Sequence, residues 1–354
     1  KEHMDRKSVI KDLQKKIPKF VGVRIAVESQ GGGGSDPRVS LNIFGDDESV
    51  LVVGGTGFIG AHLVKKCLND TPFVTCLNLE GSGSSRLFLP DVEYLQADVS
   101  NKKQLESALY GRSFSYVINL SGYIDHTNYF SGGRKTIETH FAGLLNLIDC
   151  LDRDALKGFV QIGSSDEYGN LPSPIGETVR EMPISPYSLA KVAATQFIQM
   201  LSRTEEFPGV VLRLFLVYGP GQDNKRFLPQ IIKGCLKDES FKTSEGKQLR
   251  DFCYIDDIVD AIMKAAILPE ARGQVINVAS GTPVSIRSTI EKVIYLIGNG
   301  KPCFGGHPYR VGESMQLYAD ISLARQLLGW EPGITQEDGL KETIKYYKEQ
   351  LENE

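Results

Sequence analysis

Val50-Leu51-Val52-Val53-Gly54-Gly55-Thr56-Gly57-Phe58-Ile59-Gly60 decides the fold of this 354-residue chain. Four aliphatic residues in a row suit a strand buried on both faces of a parallel sheet, and Phe58, Ile59, Leu63 and Val64 continue as the apolar face of a helix. Three glycines spaced by threes stand at the junction. Gly54 permits the turn, Gly57 lets a phosphate approach the backbone, and Gly60 lets helix pack closely on strand. The helix start that follows has unpaired N–H groups and a dipole that favours an anion. A glycine-rich loop with no ligand is the plainer reading; the position after a strand and before a helix favours a dinucleotide site.

Composition sets the outer bounds. With 41% hydrophobic and 24% charged residues the chain reads as an ordinary globular protein of one large α/β domain or two smaller ones. Its apolar runs are far short of a bilayer's thickness and its start lacks a signal peptide's apolar core and cleavage site, so a cytoplasmic location without membrane partners is expected. Cys67, Cys76, Cys150, Cys235, Cys253 and Cys303 are scattered without paired metal spacing. They read as reduced thiols, mostly in the core, and no metal site is expected. Eight basic against four acidic residues up to Gln30 leave +4, and the remainder of the chain carries −8. That balance excludes nucleic acid as a partner of the main domain.

Residues 1–30 fit poorly in front of the glycine turn. Val9, Ile10, Leu13 and Ile17 make a helical stripe that Pro18 ends, and 20–27 alternates like a strand, with apolar residues at 21, 23, 25 and 27. Gly31-Gly32-Gly33-Gly34-Ser35 follows, with the composition of a flexible linker. We read 1–30 as a tethered or fused peptide, from a partner or from elsewhere in the same protein, and 31–35 as its linker. A natural N-terminal extension is the alternative. Beyond Ser49, strands are expected at 74–77, 92–95, 116–120, 159–162 and 210–217, with helices at 105–109, 140–151 and 189–201 between them. Such alternation implies a Rossmann-type, doubly wound parallel sheet over 49–220, with ligands at the carboxyl ends of the strands. Helices at 227–236, 255–266 and 286–297 and an extended stretch at 275–278 then form a smaller substrate lobe, 221–354, some of whose elements return to the core.

The chemistry is concentrated downstream. Tyr187-Ser188-Leu189-Ala190-Lys191 puts a phenol and an ammonium four residues apart, on one face of a helix. A nearby ammonium favours the phenolate and pulls a tyrosine pKa of about 10 toward neutrality, where it exchanges a proton with a sugar hydroxyl or ketone. An exposed helix pair with no chemistry is the plainer reading of that spacing alone. Gly163-Ser164-Ser165-Asp166-Glu167-Tyr168-Gly169 follows a buried strand, so its polar side chains emerge at the ligand end of the sheet.

With the glycine turn, a serine and the Tyr/Lys pair in this order, the chain resembles the extended short-chain dehydrogenase/reductase family of epimerase/dehydratase type, whose members modify nucleotide-diphosphate sugars. The resemblance covers about residues 49 to 348. It implies that Gly54, Gly57 and Gly60, with Phe58 and Ile59, hold the dinucleotide pyrophosphate. Asp98 and Val99 would face the adenine, and Leu120 and Ser121 would line the cofactor. Tyr187 would be the catalytic acid/base, with Lys191 lowering its pKa and binding the nicotinamide ribose. Counting back from Gly169 selects Ser164 as the partner hydroxyl, whereas matching the Asp-Glu pair selects Ser165; we take Ser165 as catalytic and Ser164 as a substrate contact. Asn224, Arg250 and Arg310 fall in segments that resemble the substrate lobe, the arginines suiting a diphosphate. As surface ion pairs those arginines would be unremarked without this context. Trp330 reads as structural. Members often dimerise through two helices, including the one bearing Tyr187, so a homodimer is expected.

Two departures from the family pattern carry information. Asn78 follows the second strand where NAD enzymes have an acid, and with Ser84-Ser85-Arg86 nearby it points to NADP, with NAD as the alternative through Glu80. Asp166-Glu167 resembles the acid pair of sugar 4,6-dehydratases, which removes the carbon 5 proton and protonates the leaving hydroxyl at carbon 6. Against dehydration stand the shortened loop and Leu216, where an asparagine is usual. The stretch 217–259 looks most like reductases of 4-keto-6-deoxy nucleotide sugars. The expected function is therefore reduction of such a sugar at carbon 4 by NADPH. The alternatives are a 4,6-dehydratase using Asp166 and Glu167, a 4-epimerase, or a non-enzymatic NADP-binding regulatory subunit. His140 stands where the family commonly has an asparagine, and it reads as a buried, hydrogen-bonded histidine.

Overall fold

The computed structural model describes residues 47–79, 88–310 and 312–353 in full, and the backbone of 24–27 and 39–42. Seven strands build one sheet: β1 (Val50–Val53), β2 (Val74–Asn78), β3 (Val92–Gln96), β4 (Tyr116–Asn119), β5 (Gly158–Ser164), β6 (Gly209–Leu214) and β7 (Val275–Val278). All neighbours are parallel, in the order β7-β6-β5-β4-β1-β2-β3. The chain runs outward from β1 through β2 to β3, then returns to β4 on the other side of β1. That reversal opens a crevice at the carboxyl ends of β1 and β4, where open α/β sheets bind ligands.

Alternation along each strand feeds two apolar layers. Val50 and Val52 join Leu63 and Val64 of α1 (Phe58–Cys67) and Ile258 and Ile262 of α6 (Ile255–Ile267). Leu51 and Val53 face the other way. They meet Leu105 of α2 (Lys102–Leu109), Leu144 and Leu147 of α3 (134–149), and Ile198 of α4 (Pro186–Glu205). Both layers exclude water, so strands such as β1 are apolar throughout.

The strand expected over 210–217 is two strands. β6 stays in the sheet, while Leu216–Tyr218 leaves it to pair in parallel with Phe252–Tyr254. Phe215 is the turning point, buried beside Tyr168 with ring centroids 6.4 Å apart. Leu249–Tyr254 is the centre of a second sheet, pairing also with Pro283–Ser285 and Gln316–Leu317. Helices α5 (Phe227–Leu236), α7 (Ile286–Ile297), α8 (Ser322–Leu328) and α9 (Gln336–Glu352) complete the C-terminal half, and β7 rejoins the main sheet. Trp330 is structural: its indole N–H donates to the Asp257 carbonyl at 3.1 Å, and the Asp257 carboxylate accepts from Gly333 and Ile334 N–H.

All six cysteines are free, and Cys67, Cys76, Cys235 and Cys253 are buried. Arg24–Val27 pairs antiparallel with Val39–Asn42, in keeping with the alternation read over 20–27. The rest of the expected tethered peptide and its linker lie outside the described residues. No described helix is long and apolar enough to cross a membrane.

Candidate active site

The glycine turn has the shape its sequence requires. Gly54 has φ +82° and donates its N–H to the Leu77 carbonyl at 2.7 Å. A Cβ on Gly60 would lie 2.3 Å from the Gly54 oxygen and 2.7 Å from the Gly55 Cα, so strand and helix meet only because both are bare. No side chain caps α1 at Gly57, which leaves the N–H groups of Phe58, Ile59 and Gly60 to the crevice. An uncapped helix start behind a glycine-lined cradle fits a dinucleotide pyrophosphate.

Around that cradle, Asn78 is buried and its amide oxygen accepts from the Thr56 N–H at 2.9 Å and the Thr56 hydroxyl at 3.0 Å. A backbone donor fixes the amide's orientation, so its NH2 is the end left for a ligand. Arg86, with Glu80, Ser84 and Ser85, lies outside the described residues. Asp98 closes a turn by accepting from the Ser100 N–H and hydroxyl, and Val99 packs where a Cβ on Gly143 would lie 2.8 Å away. The Leu120 carbonyl abuts Gly54, and the Ser121 hydroxyl donates to Asn119 at 2.6 Å. Both residues follow β4, opposite the glycine turn across the crevice.

Helix α4 presents the phenol and the ammonium together. Ser185 caps it, accepting from the Ser188 N–H at 3.1 Å, with Pro186 at its first position. Tyr187 and Lys191 are both buried. The Lys191 ammonium donates to the Ile162 carbonyl at 2.7 Å and lies 5.8 Å from the Tyr187 ring centre. The phenol is raised and not drawn toward neutrality as expected. Burial pushes the Tyr187 phenol up, the Ser164 hydroxyl pulls it back, Asp166 and Glu167 push it higher, and Arg226 opposes them. Lys191 itself is pulled down to about 8 by burial, against the charge of Glu167.

Ser164, not Ser165, stands beside the phenol. The shortened loop folds as a tight turn over Ser165–Tyr168, capped at Ser164: its hydroxyl accepts from the Asp166 N–H at 3.2 Å while its own N–H donates to Glu167 at 2.9 Å. Ser165 is carried into the buried turn. Glu167, expected as a catalytic acid, is enclosed by its partners. Its side chain is fully buried, with the second oxygen accepting from the Thr195 hydroxyl and the Arg213 guanidinium, each at 2.8 Å. Asp166 alone of the acid pair is left partly open, pushed up by burial and pulled down by His126 and Arg226.

Several site residues escaped sequence reading. His126 lies 3.5 Å from the Asp166 carboxylate and meets the Tyr187 ring edge-on at 5.6 Å. Arg226 acts on both Tyr187 and Asp166 from the start of α5. Thr195 continues the Tyr187/Lys191 face by one more turn, and Arg213 interrupts the apolar run of β6; those two signals were present in the sequence. His140 is buried as expected, in a single wide π-type turn at Glu138–Ala142. Its Nε2–H donates to the Tyr123 carbonyl at 2.8 Å, and its ring meets Tyr187 edge-on at 5.1 Å. Burial and the Lys191 charge pull it down to about 3, so it is neutral. In the C-terminal half Arg250 pairs with Glu313, Arg310 is exposed close by, and Asn224 lies in the exposed loop before α5.

The model of the NAD dependent epimerase/dehydratase family matches residues 50–279, from the first buried strand through β7. The chain belongs to that family. Its relatives extend beyond the matched span. UDP-glucuronate 4-epimerase of Thermodesulfobacterium geofontis is 30% identical over 319 residues, covering 85% of this chain and 97% of that protein. dTDP-glucose 4,6-dehydratase of Streptomyces niveus is 25% identical over 316 residues, covering 85% and 93%. Among solved structures, UDP-glucose 4-epimerase of Thermotoga maritima with UDP-glucose matches with TM-score 0.79 at 26% identity, over 86% of this chain and 99% of that one. This epimerase/dehydratase family accounts for the parallel sheet, the glycine turn and the Tyr/Lys helix in one architecture.

Proposed function

We propose that the protein acts on a nucleotide-diphosphate sugar at carbon 4, and that its net reaction is 4-epimerisation. The observation that carries this reading is the Tyr187 phenol buried beside Ser164 and over Lys191, at the crevice that the glycine turn opens. A bound nicotinamide dinucleotide supplies the hydride chemistry. Tyr187 exchanges the proton with the sugar's carbon 4 oxygen, Ser164 orients that oxygen, and the Lys191 charge lowers the cost of the phenolate. Arg250 and Arg310 receive the diphosphate, Glu313 giving way to it. Ser164 takes the role expected of Ser165. Relatives acting on UDP-glucose and UDP-glucuronate support epimerisation. Dehydration is disfavoured, because it needs a second free carboxyl and Glu167 has both oxygens committed.

Reduction of a 4-keto-6-deoxy sugar by NADPH is the second reading, and Asn78 favours it: an amide presenting NH2 donors suits a 2′-phosphate. One experiment separates the two. The protein is incubated with UDP-glucose and UDP-glucuronate plus NAD, and separately with 4-keto-6-deoxy nucleotide sugars plus NADPH, with products followed by NMR. The 4-epimer formed without net change in NADH supports epimerisation; stoichiometric loss of NADPH absorbance replaces it with reduction. Tyr187→Phe abolishes either chemistry while dinucleotide binding persists.

A further inference from the structure

A carboxylate with no place in the proton path lies sealed beneath the groups that form it. Glu167 is fully buried, and its tethers come from three elements: the Ser164 N–H at the end of β5, the Thr195 hydroxyl on α4, and the Arg213 guanidinium on β6. Thr195 lies one turn beyond Lys191 and two beyond Tyr187, on the same face of α4. Glu167 therefore grips the helix along the line that carries phenol and ammonium. The backbone is shaped to admit it, since a Cβ on Gly163 would lie 2.6 Å from its Oε1. On the far side Arg213 is held by Glu181 at 2.6 Å and stacks on the Tyr168 ring at 4.5 Å, so the anchor is rigid.

We propose that Glu167 is a positioning residue: it locks the serine loop to helix α4 and strand β6, and thereby sets the spacing of Ser164, Tyr187 and Lys191. The role rests on Tyr187 being the proton carrier, as proposed above. Its charge adds a second effect. Lys191 faces Glu167, the neutral ring of His140 and the Tyr187 ring, so Glu167 is the anion that opposes burial there and keeps the ammonium charged. Tyr187 faces Ser164, Asp166, Glu167, His126, His140 and Arg226, and Glu167 is among the groups that hold its proton on. Glu167 itself faces Arg213, beyond which stand Glu181, Glu177 and Tyr168.

The test compares wild type, Thr195→Val, Thr195→Ser and Glu167→Gln in the full chain with NAD bound. Thr195→Val removes one tether and strands no charge. It keeps KM within about twofold and lowers kcat by about a hundredfold, the scale of an ångström's misplacement, while Thr195→Ser restores most of the loss. Glu167→Gln lowers kcat likewise. It also moves the alkaline limb of the pH–rate profile, and the Tyr187 absorbance titration read against Tyr187→Phe, to lower pH. Unchanged kcat in Thr195→Val, or an unmoved titration in a folded Glu167→Gln, overturns the positioning role. Should Glu167→Gln fail to fold because Arg213 is left unpaired, the threonine pair decides alone: loss in Val with rescue in Ser supports the role, and equal activity in both overturns it. The titration needs no sugar. If wild type turns over none of the sugars tested, the reaction proposed above fails by itself, and the titration still judges Glu167.

Discussion

Lys191 donates its ammonium to the Ile162 carbonyl at 2.7 Å and so stands fixed beneath the ring of Tyr187. The bond is made to backbone, so it holds the ammonium in place without neutralising it. Burial pulls this lysine down to about 8 while Glu167 opposes. Below that pH the charge is present and favours the phenolate; above it the charge is lost. The rate therefore declines above pH about 8, and Lys191→Met lowers kcat at every pH and removes that limb. Stability carries the opposite sign. Between about 8 and the ordinary 10.5 the unfolded chain holds a proton that the folded chain has released, so this group makes stability rise with pH across that window. Melting curves of wild type and Lys191→Met from pH 7 to 10 check it.

Gly60→Ala should strike the cofactor cradle and the fold together. Its Cβ would lie 2.3 Å from the Gly54 oxygen and 2.7 Å from the Gly55 Cα, both backbone atoms that cannot swing aside. Overpacking of this kind costs about 1–3 kcal/mol. Calorimetric titration with NAD and a denaturant melt measure the two losses, and wild-type values in both would refute the account.

His140 and Gly122 form a matched pair. A Cβ on Gly122 would lie 2.1 Å from the imidazole, and its φ of +106° already favours glycine, so Gly122→Ala costs about 1–3 kcal/mol. Folded His140 is pulled down to about 3 from 6.5, so its contribution is present above 6.5 and is lost as pH falls toward 3. The drop in melting temperature between pH 7 and pH 5 is accordingly smaller in His140→Asn than in wild type. Equal drops would show that another group governs acid stability.

Asn78→Asp keeps the two bonds from Thr56, since both end on an oxygen. It replaces the NH2 end with a second carboxylate oxygen, which accepts from ribose hydroxyls and repels a 2′-phosphate. The ratio of NADP to NAD affinity should fall by about tenfold or more, on the order of 1.4 kcal/mol. Dissociation constants for both dinucleotides, measured by fluorescence quenching, test this; an unchanged ratio removes Asn78 from cofactor choice.

Local patterns carried much of the site. The strand-turn-helix around Gly54, the Tyr187/Lys191 spacing and the buried reading of His140 are all statements about near neighbours, which helix and strand periods determine. The choice between the two serines has a local signal: Ser164-Ser165-Asp166-Glu167 is an S-x-x-E capping box, which makes Ser164 the cap and turns Glu167 back on it. The break in the strand expected over 210–217 had no such signal. Val210 to Val217 is apolar apart from Arg213, and only the strand at Leu249–Tyr254 draws Leu216–Tyr218 away.

The sequence by itself determined the parallel sheet, the dinucleotide turn and the placing of phenol and ammonium on one helix face, because each depends on residues within a few turns of one another. The tertiary structure decided what those groups experience. Arg213 lies 46 residues from Glu167, and His126 lies 40 before Asp166; their meeting depends on how strands order in the sheet. Burial, a property of the assembled core, then pushes Tyr187 up and Lys191 down and encloses the Glu167 carboxylate against Arg213. The glycine turn could announce a dinucleotide, but only packing could say which oxygen stands against the phenol.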